Sequence, residues 1–406
     1  MLFNVAKKQK NGILYRKSLK TVHLLIFMKT EIIYQDIENF PGLNIPEKFR
    51  ISRFRNGIIV RMPNHLGDAV MALPALAALQ KTLPEYCGIF VITPANIMQL
   101  YQALPFVAGI VPLENAHRFF SAKERKMIRQ LRAGAALLFN RSFRDALTLK
   151  MLKIKELYGE AGRGRSWLLS GVFHFRRSPR GTADYTHQAM RYLAMAESLG
   201  GERCQPFMPE LKIPCTTDEL APRIRALLHH PLMLTMAPGA AYGAAKRWPH
   251  EYYTKVAEFW IRHGGIVVLC GSAGERGICE EIRRKLPAEK CFDLSGKTDL
   301  FDLMHLFRFS AFVIANDSGL MHLAAALGCE GLTVFGPTDL YDTGPVSAKW
   351  QLLYRKQPCS PCLRRSCPEG KARCMLEIHP AEVIRALYAS VKKLKLPFSK
   401  KRPAEQ

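Results

Sequence analysis

The chain contains no apolar run long enough to cross a membrane. Its longest early run, Val22–Met28, is far shorter than the roughly 20 residues that a spanning helix needs. It also lacks the small-residue cleavage pattern of a secretory signal peptide. We therefore expect a cytoplasmic protein.

Two cofactor motifs are missing as well. There is no Asp-x-Asp pair to hold a divalent ion beside a diphosphate. The glycines of Gly271–Gly277 follow the spacing G-x-x-G-x-x-G, which is not the G-x-G-x-x-G of a dinucleotide-binding turn. The sequence thus predicts neither a catalytic metal site nor a nicotinamide site.

Acidic residues are scarce. The chain has 59 Lys and Arg against 34 Asp and Glu, which gives a formal net charge of +25 and indicates an anionic partner. Residues 118–180 hold sixteen of the basic residues and four acids, and they surround Trp167. This composition favours contact with anionic lipid headgroups. A solvated basic surface is the ordinary alternative, and nucleic acid is the less favoured one because no nucleic-acid-binding motif accompanies the charge.

The most informative segment is a strand, a tight turn and a helix start. The apolar run Ala311–Ala315 stops at Asn316-Asp317-Ser318-Gly319, and Leu- and Ala-rich sequence follows up to Gly328. Asp and Ser are favoured N-cap residues. Free backbone N–H groups and the helix dipole at such a turn attract an anion, so the pattern predicts a phosphate site.

Two other segments have the same form. After the strand Ile58–Arg61, Asp68 opens a predicted helix over 69–79, either as an N-cap carboxylate or as a catalytic base. After the strand Leu232–Ala237, a loop of small residues ends at Lys246, a residue suited to neutralising phosphate.

Strand-like and helical stretches alternate along the chain, which predicts an α/β fold with parallel sheets. A Pro-rich interruption over 200–222 separates two such regions. Because ligands bind beyond the carboxyl ends of parallel strands, the three turns can converge on one cleft between two domains.

Taken together, the motifs resemble those of the ADP-heptose:lipopolysaccharide heptosyltransferase family. Five pieces stand in the family's order, and the resemblance covers about residues 56–390. The cysteine pattern near the C-terminus looks like the branch that adds the second heptose. The pieces are Arg61…Leu66-Gly67-Asp68, Asn140-Arg141-Ser-Phe-Arg144, Pro238-Gly239…Lys246-Arg247-Trp248-Pro249, Asn316-Asp317-Ser318-Gly319…His322 and Phe335-Gly336-Pro337-Thr338.

The resemblance implies two facing Rossmann-like domains, the GT-B type of glycosyltransferase fold, with a cleft between them. It divides the chain into a basic extension (1–55), an acceptor-binding domain (56–222), a nucleotide-sugar-binding domain (223–395) and a basic tail (396–406). It also implies inverting, metal-independent transfer of heptose from ADP-L-glycero-D-manno-heptose to the lipopolysaccharide inner core, with heptosyl-Kdo-lipid A as the acceptor. No cofactor is required, and the inner face of the cytoplasmic membrane and an anionic lipid-linked glycolipid are the expected partners, without nucleic acid.

Residue roles follow from the same resemblance. Asp68 is the expected general base and Lys246 the phosphate-neutralising group. The expected nucleotide-sugar-binding residues are Lys246, Glu275, Asp317, Ser318, Gly319 and His322. For Asp317, capping or orienting its neighbours is the more natural role, and a lone helical His such as His322 is equally often structural. The candidate acceptor-binding residues are Asn140, Arg141, Arg144 and Arg163, with ordinary surface arginines as the alternative.

Four of the eleven cysteines form a C-x2-C-x4-C-x6-C pattern: Cys359, Cys362, Cys367 and Cys374. The close pair has metal-ligand spacing, but the whole pattern is not a common zinc signature. A structural metal site, four reduced thiols packing a loop and a redox-sensitive staple all remain open.

Three other functions stay open at this point. A member of the same family could use another donor sugar or acceptor. A two-domain sugar-nucleotide epimerase could share the fold and act on the donor alone. A basic nucleic-acid-binding protein would show strongly salt-dependent binding and no transfer from ADP-sugars.

Overall fold

The computed structural model describes residues 31–33, 49, 56–175 and 187–397. Most of the predicted extension (1–55), most of the predicted tail (396–406), and Arg176, Arg177 and Arg180 of the basic segment lie outside these residues. The first strand in the chain, β1 (Glu31–Ile33), belongs to the second of two sheets.

The first sheet has six parallel strands in the order β4-β3-β2-β5-β6-β7. Its strands are β2 (Gly57–Arg61), β3 (Gly88–Pro94), β4 (Val107–Leu113), β5 (Ala135–Leu138), β6 (Glu156–Glu160) and β7 (Gly171–Phe173). The helices of this domain are α1 (Leu66–Met71), α2 (Leu73–Thr82), α3 (Gln99–Gln102), α4 (Ala122–Leu131), α5 (Phe143–Met151) and α6 (Gln188–Ser198).

The second sheet has the order β1-β13-β12-β11-β8-β9-β10, and only β1 pairs antiparallel, with β13. Its other strands are β8 (Met233–Ala237), β9 (Ile266–Leu269), β10 (Cys291–Asp293), β11 (Phe312–Asn316), β12 (Gly331–Phe335) and β13 (Trp350–Tyr354). Its helices are α7 (Pro222–Leu228), α8 (His250–Arg262), α9 (Arg276–Arg283), α10 (Leu300–Phe309), α11 (Gly319–Ala326), α12 (Leu340–Thr343), α13 (Arg373–Leu376) and α14 (Pro380–Lys393).

Both sheets have the strand order of a dinucleotide-binding fold, in which the chain starts at the centre and reverses direction once. The reversal falls between β2 and β5 in the first sheet and between β8 and β11 in the second. The predicted fold class, two facing Rossmann-like domains, is therefore confirmed. Ligands of such sheets bind at these two switch points.

Three buried clusters form the core. Two of them each cover the outward face of one sheet. The third is continuous between the sheets, where α1 packs on α11 and α3 packs on α10. The facing sides of the two domains are thus packed together by apolar residues. None of the described helices has the length and apolar character needed to cross a bilayer.

The predicted single helix over 69–79 is wrong. The chain instead forms α1 and α2, which meet at Ala72. Pro74 lies beyond the first turn of the predicted helix, where it lacks an N–H and its ring would clash with the carbonyl of Val70. The interruption leaves α1 as a short helix whose start carries Asp68.

Candidate active site between the two domains

At the first switch point, a buried arginine organises the loop that leads to Asp68. The Nε of Arg61 lies 2.6 Å from Oδ2 of Asp145, and both side chains are fully buried. The other Arg61 nitrogens donate to the carbonyl of Met62 and to Oδ1 of Asn64. The amide of Asn140 also donates to Asp145, at 2.6 Å. Asn140 thus supports this network, and its predicted contact with an acceptor stays a prediction.

Asp68 lies in the first turn of α1, not at the N-cap. The N-cap is His65, and no side chain caps the helix. The N-cap interpretation of Asp68 is therefore wrong. Burial raises the pKa of the Asp68 carboxyl, while His65, a hydrogen bond from Gln188 and the charge of Lys246 oppose that rise. A buried carboxyl group with a raised pKa, beside a hydrogen-bond donor and a cation, is suited to accept a proton.

At the second switch point, Asn316 joins the end of β11 to the loop after β8, residues 238–248, which we call the donor loop. Its Nδ2 donates to the carbonyl oxygens of Pro238 and Gly239. Its Oδ1 accepts from the backbone N–H of Trp248 and the hydroxyl of Tyr253. All four polar contacts are buried, so Asn316 holds both ends of the donor loop against the sheet.

The donor loop presents Lys246 to Asp317. The Lys246 Nζ lies 2.6 Å from Oδ2 of Asp317, and their side chains are 12% and 5% exposed. Thr338 donates its hydroxyl to the same carboxylate oxygen. The ring of Tyr242 lies 4.8 Å from the Lys246 ammonium. Asp317 therefore orients Lys246 and does not cap α11, whose N-cap is Ser318.

The start of α11 has unused polar groups. The Ser318 side chain makes no capping hydrogen bond, and within the described residues its buried Oγ has no hydrogen-bond partner. The first N–H groups of a helix also lack intrahelical acceptors. An orphaned buried hydroxyl beside a helix N-terminus fits the predicted phosphate site.

Glu275 lies beside this region, at the ends of β8 and β9. A capping box fixes it, because the backbone N–H and hydroxyl of Ser272 both donate to its Oε2. Its carboxyl group rests on Gly239, where a Cβ would lie 2.1 Å from Oε1. No hydrogen bond to Oε1 occurs within the described part of the chain, which leaves that oxygen able to accept one.

His322 lies on α11 where the domains touch. A Cβ built on Gly67 would lie 2.8 Å from its Cδ2. Burial lowers the pKa of His322 to about 4, with a smaller effect in the same direction from Lys246 and an opposing one from Asp317. The imidazole is therefore neutral at pH 7. It lies close to the candidate phosphate site, while its contact with a ligand stays a prediction.

The three arginine candidates for acceptor binding differ in their partners. Arg141 forms an ion pair with Glu160. The guanidinium groups of Arg144 and Arg163 have no ion-pair or hydrogen-bond partner among the described residues, and Arg163 is exposed. Arg165, which was not a candidate, is buried and donates to the carbonyl of Glu160. Arg144 and Arg163 thus remain available to an anionic acceptor.

Several site residues escaped the sequence analysis. Gln188 reaches Asp68 from the start of α6, and its Nε2 also donates to the hydroxyl of Tyr192. No motif marks Gln188, so sequence alone could not find it. Thr338 and Asn316 lie inside motifs that were recognised, but their partners depend on the packing of separate loops.

The arrangement defines a class of protein. Two Rossmann-like domains face each other, and the loops at their switch points bring a buried carboxylate together with a lysine and a helix N-terminus. This is the architecture of GT-B glycosyltransferases, and the fold agrees with a solved relative. The structure of Escherichia coli ADP-heptose lipopolysaccharide heptosyltransferase II matches with a TM-score of 0.66 and 29% identity, over 83% of this chain and 99% of that one.

Sequence comparisons identify the family. The family model for glycosyltransferase family 9 (heptosyltransferase) matches residues 124–373. Lipooligosaccharide heptosyltransferase 2 of Haemophilus influenzae is 32% identical over 73% of this chain and 88% of its own length. Lipopolysaccharide heptosyltransferase 2 of Escherichia coli is 29% identical over 82% of this chain and 97% of its own length. The chain belongs to glycosyltransferase family 9, so the predicted family and the predicted heptosyl-transferring activity are confirmed.

Proposed function

We propose that this protein is an inverting glycosyltransferase that moves heptose from ADP-L-glycero-D-manno-heptose to the inner core of lipopolysaccharide, with heptosyl-Kdo-lipid A as the acceptor. The relatives include a lipooligosaccharide heptosyltransferase 2 and a lipopolysaccharide heptosyltransferase 2. Their names support heptose as the transferred sugar and lipopolysaccharide as the acceptor class. The observation that carries the mechanism is the approach of Asp68, from one domain, to the Lys246–Asp317 pair of the other.

Asp68 is the proposed general base. It takes the proton of the acceptor hydroxyl while the new bond forms between that oxygen and the anomeric carbon. The bond from the anomeric carbon to the pyrophosphate oxygen breaks in the same step, and ADP leaves with the bonding electron pair. Direct displacement of this kind inverts the anomeric configuration. The hydrogen bond from Gln188 and the charge of Lys246 favour the ionised carboxylate that this step needs.

The donor is bound at the second switch point. Lys246 neutralises the charge that develops on the departing diphosphate, and the Ser318 hydroxyl with the first N–H groups of α11 donate to its oxygens. Asp317 holds Lys246 in place through the 2.6 Å contact. Glu275 accepts from a ribose hydroxyl through Oε1. These groups take the role that a divalent ion has in other sugar-nucleotide enzymes, so added Mg²⁺ should not stimulate transfer.

The acceptor reaches Asp68 from the first domain. The inner core carries phosphate and carboxylate groups, which planar guanidinium groups bind well. Arg144 and Arg163 are the proposed contacts because their guanidinium groups have no described partner. The division of the chain into an acceptor domain (56–222) and a donor domain (223–395) is part of this proposal.

The basic segment supplies a membrane contact. Helices α4 and α5 cover the outward face of the first sheet. Phe119, Met151 and Trp167 stand out from this layer with exposures of 57%, 69% and 72%. Nine exposed cations belong to the same stretch of the chain: Arg118, Lys123, Arg125, Lys126, Arg129, Arg132, Lys150, Lys153 and Lys155.

Three acids of this layer already have partners of their own. The Glu124 carboxylate accepts from the backbone N–H groups of Glu114 and Ser121. Asp145 is buried with Arg61, and Glu160 pairs with Arg141. A surface of exposed cations with separate apolar side chains suits an anionic membrane leaflet. We therefore place the protein, as a proposal, on the inner face of the cytoplasmic membrane, where a lipid-linked acceptor is available.

The test is transfer from ADP-heptose to deacylated inner-core acceptors by purified wild-type protein, Asp68→Asn and the control Asp218→Asn. Asp218 is exposed and lies in the turn Thr217–Glu219, which carries none of the site residues. We expect a product of inverted configuration from the wild type and the control and none from Asp68→Asn, with ADP affinity kept by all three. If the wild-type protein gave no product with any inner-core acceptor, the enzyme would have to use another donor or another acceptor. Full activity of Asp68→Asn would remove Asp68 from the mechanism.

A further inference from the structure

Four cysteines that the proposed reaction does not use lie around one cavity. Cys359, Cys362, Cys367 and Cys374 line a cavity of about 110 Å³ beside the donor loop, together with Ala245, Pro337 and neighbouring residues. None of these cysteines is in a disulfide.

We propose that Cys359, Cys362, Cys367 and Cys374 bind one thiophilic divalent metal ion, zinc or iron, as a structural tetrathiolate site. Four cysteine sulfurs are a complete ligand set for such an ion. In the described residues no three His, Cys, Asp or Glu side chains already surround a common point in metal-binding geometry. Closing the site therefore requires the sulfurs to turn towards a common point.

The surrounding backbone favours the bound state. The backbone N–H of Ala372 donates to Sγ of Cys367 at 3.2 Å, and bonds of this kind support metal-bound thiolates. Leu363, directly after Cys362, has φ 56°, so the chain turns sharply behind the Cys359–Cys362 pair. Four thiolates on a divalent ion carry a net charge of −2. Within 359–374, Arg364, Arg365, Lys371 and Arg373 outnumber the single acid Glu369 and offset that charge.

The cysteine segment, residues 357–376, is attached to both sides of the donor site. The Tyr242 hydroxyl donates to the carbonyl of Leu363, and the Ala245 N–H donates to the carbonyl of Arg365. The Leu363 N–H donates to the carbonyl of Pro337, which is adjacent to Thr338. A metal ion here would brace the loop that carries Lys246 without touching the substrates.

Binding exchanges thiol protons for metal–sulfur bonds, and no electron transfer is involved. Each cysteine that binds releases its proton to solvent, up to four in all. Binding should therefore weaken as pH falls. It should also be independent of whether the proposed heptose transfer occurs.

The test is metal analysis of the full-length protein, purified under reducing conditions without chelators and then incubated anaerobically with Zn²⁺ or Fe²⁺. We expect about one zinc or iron per chain, with elemental analysis telling the two apart, because four thiolates saturate one tetrahedral ion. Cys367→Ser/Cys374→Ser should lose the metal. The matched control Cys204→Ser/Cys215→Ser, whose cysteines do not line the cavity, should keep it.

A second measurement on the wild type covers the case in which the double variant does not fold. With metal bound, four thiols should react with a thiol reagent only after a strong chelator is added, and Co²⁺ in place of the native ion should give the intense absorption of tetrahedral thiolate coordination. Metal below about 0.2 per chain after either incubation, against the one expected for a tetrathiolate site, would overturn the proposal. Thiol reactivity unaffected by metal, or a disulfide between two of the four cysteines in the purified reduced protein, would do the same.

Discussion

Gly67 and Gly319 lie against each other across the domain interface. A Cβ built on Gly67 would lie 3.6 Å from the Cα of Gly319, and one built on Gly319 would lie 3.2 Å from the backbone nitrogen of Gly67 and 2.9 Å from Cβ of Leu66. Two helix starts, those of α1 and α11, therefore meet closely at two residues that have no side chain. This contact sets the separation of Asp68 from the phosphate site.

Gly319→Ala should push these helix starts apart. We expect kcat/KM for transfer to fall about 10–100-fold, because small displacements of reacting groups are costly. Gly277→Ala is the matched control, since Gly277 also lies near a helix start and a Cβ there meets nothing within 4 Å. The control should keep activity within about twofold. Equal loss in both variants would contradict this role of the glycine contact.

Gln188→Leu should change the pH profile of the reaction. The hydrogen bond from Gln188 favours the ionised form of Asp68, so its removal raises the pKa of that carboxyl further. A base works only when ionised, so the acid limb of kcat/KM should move to higher pH. At the acid end kcat/KM should fall by about an order of magnitude while the plateau changes less. Gln102→Leu, at an exposed position, should leave the profile in place. A uniform loss at every pH would point to a structural effect.

Asp68→Asn should make the protein more stable while abolishing transfer. The folded-state pKa of Asp68 is raised, so the unfolded chain ionises first and stability falls as pH rises from the unfolded pKa through the folded one. A neutral amide avoids that loss at pH 7. We expect a Tm higher by roughly 1–3 °C in thermal unfolding at pH 7, with the gain vanishing near pH 3. A lower Tm at pH 7 would show that the charge of Lys246 outweighs burial at this position.

Lys246→Met should lower both stability and activity, because it leaves the buried Asp317 carboxylate without its cation. We expect a loss of about 3 kcal/mol in the free energy of unfolding, at the low end for a broken buried pair since Thr338 still donates to Asp317. Transfer should fall about 100–1000-fold. Lys246→Met/Asp317→Asn should recover most of the stability but none of the activity. If the double variant regained activity, Lys246 would have no phosphate role.

Two variants test the proposed binding surfaces. Arg144→Ala should raise KM for the acceptor about tenfold and leave KM for the donor unchanged, since a charge-assisted contact is lost. Lys150→Ala, in the last turn of the same helix, is its control.

Lys123→Gln/Lys126→Gln/Arg129→Gln should weaken sedimentation with phosphatidylglycerol-containing vesicles about 100-fold, at about 1 kcal/mol for each cation. The charge-matched control Lys255→Gln/Arg262→Gln/Lys285→Gln should not. Tight binding to RNA without vesicle binding would contradict the membrane proposal.

Much of the fold could be predicted from sequence because its strands are short apolar runs that end in Gly, Pro or polar turns. The predicted strand Ile58–Arg61 is one residue shorter than β2 (Gly57–Arg61). The predicted run Leu232–Ala237 differs from β8 by one residue at its start, and Ala311–Ala315 differs from β11 by one residue at each end. The helix over 69–79 was the main error, since Leu and Ala on both sides of Pro74 conceal the break. Strand β1 lies in a segment without motif signals, and only its pairing with β13 reveals it.

The candidate site was predictable to the extent that its residues follow strands. Asp68, Lys246 and Asp317 were brought together by the rule that loops at carboxyl ends converge. Gln188, Tyr242 and the partners of Asn140 and Arg141 depend on side-chain directions and on how separate segments pack. Sequence spacing contains neither, so a carboxylate that pairs with Arg141 from the next strand could not be foreseen.

Strand β1 ties the start of the described chain to its last strand. Glu31–Ile33 is synthesised before either domain, yet it pairs with Leu352–Tyr354, more than 300 residues later. During translation the edge of the second sheet therefore stays incomplete until nearly the whole chain has left the ribosome. Until then β1 has no partner strand, and its backbone carries unpaired groups of the kind that make edge strands prone to aggregation. A version of this protein that starts at residue 56 would keep every residue of the proposed site and leave β13 as the edge of its sheet.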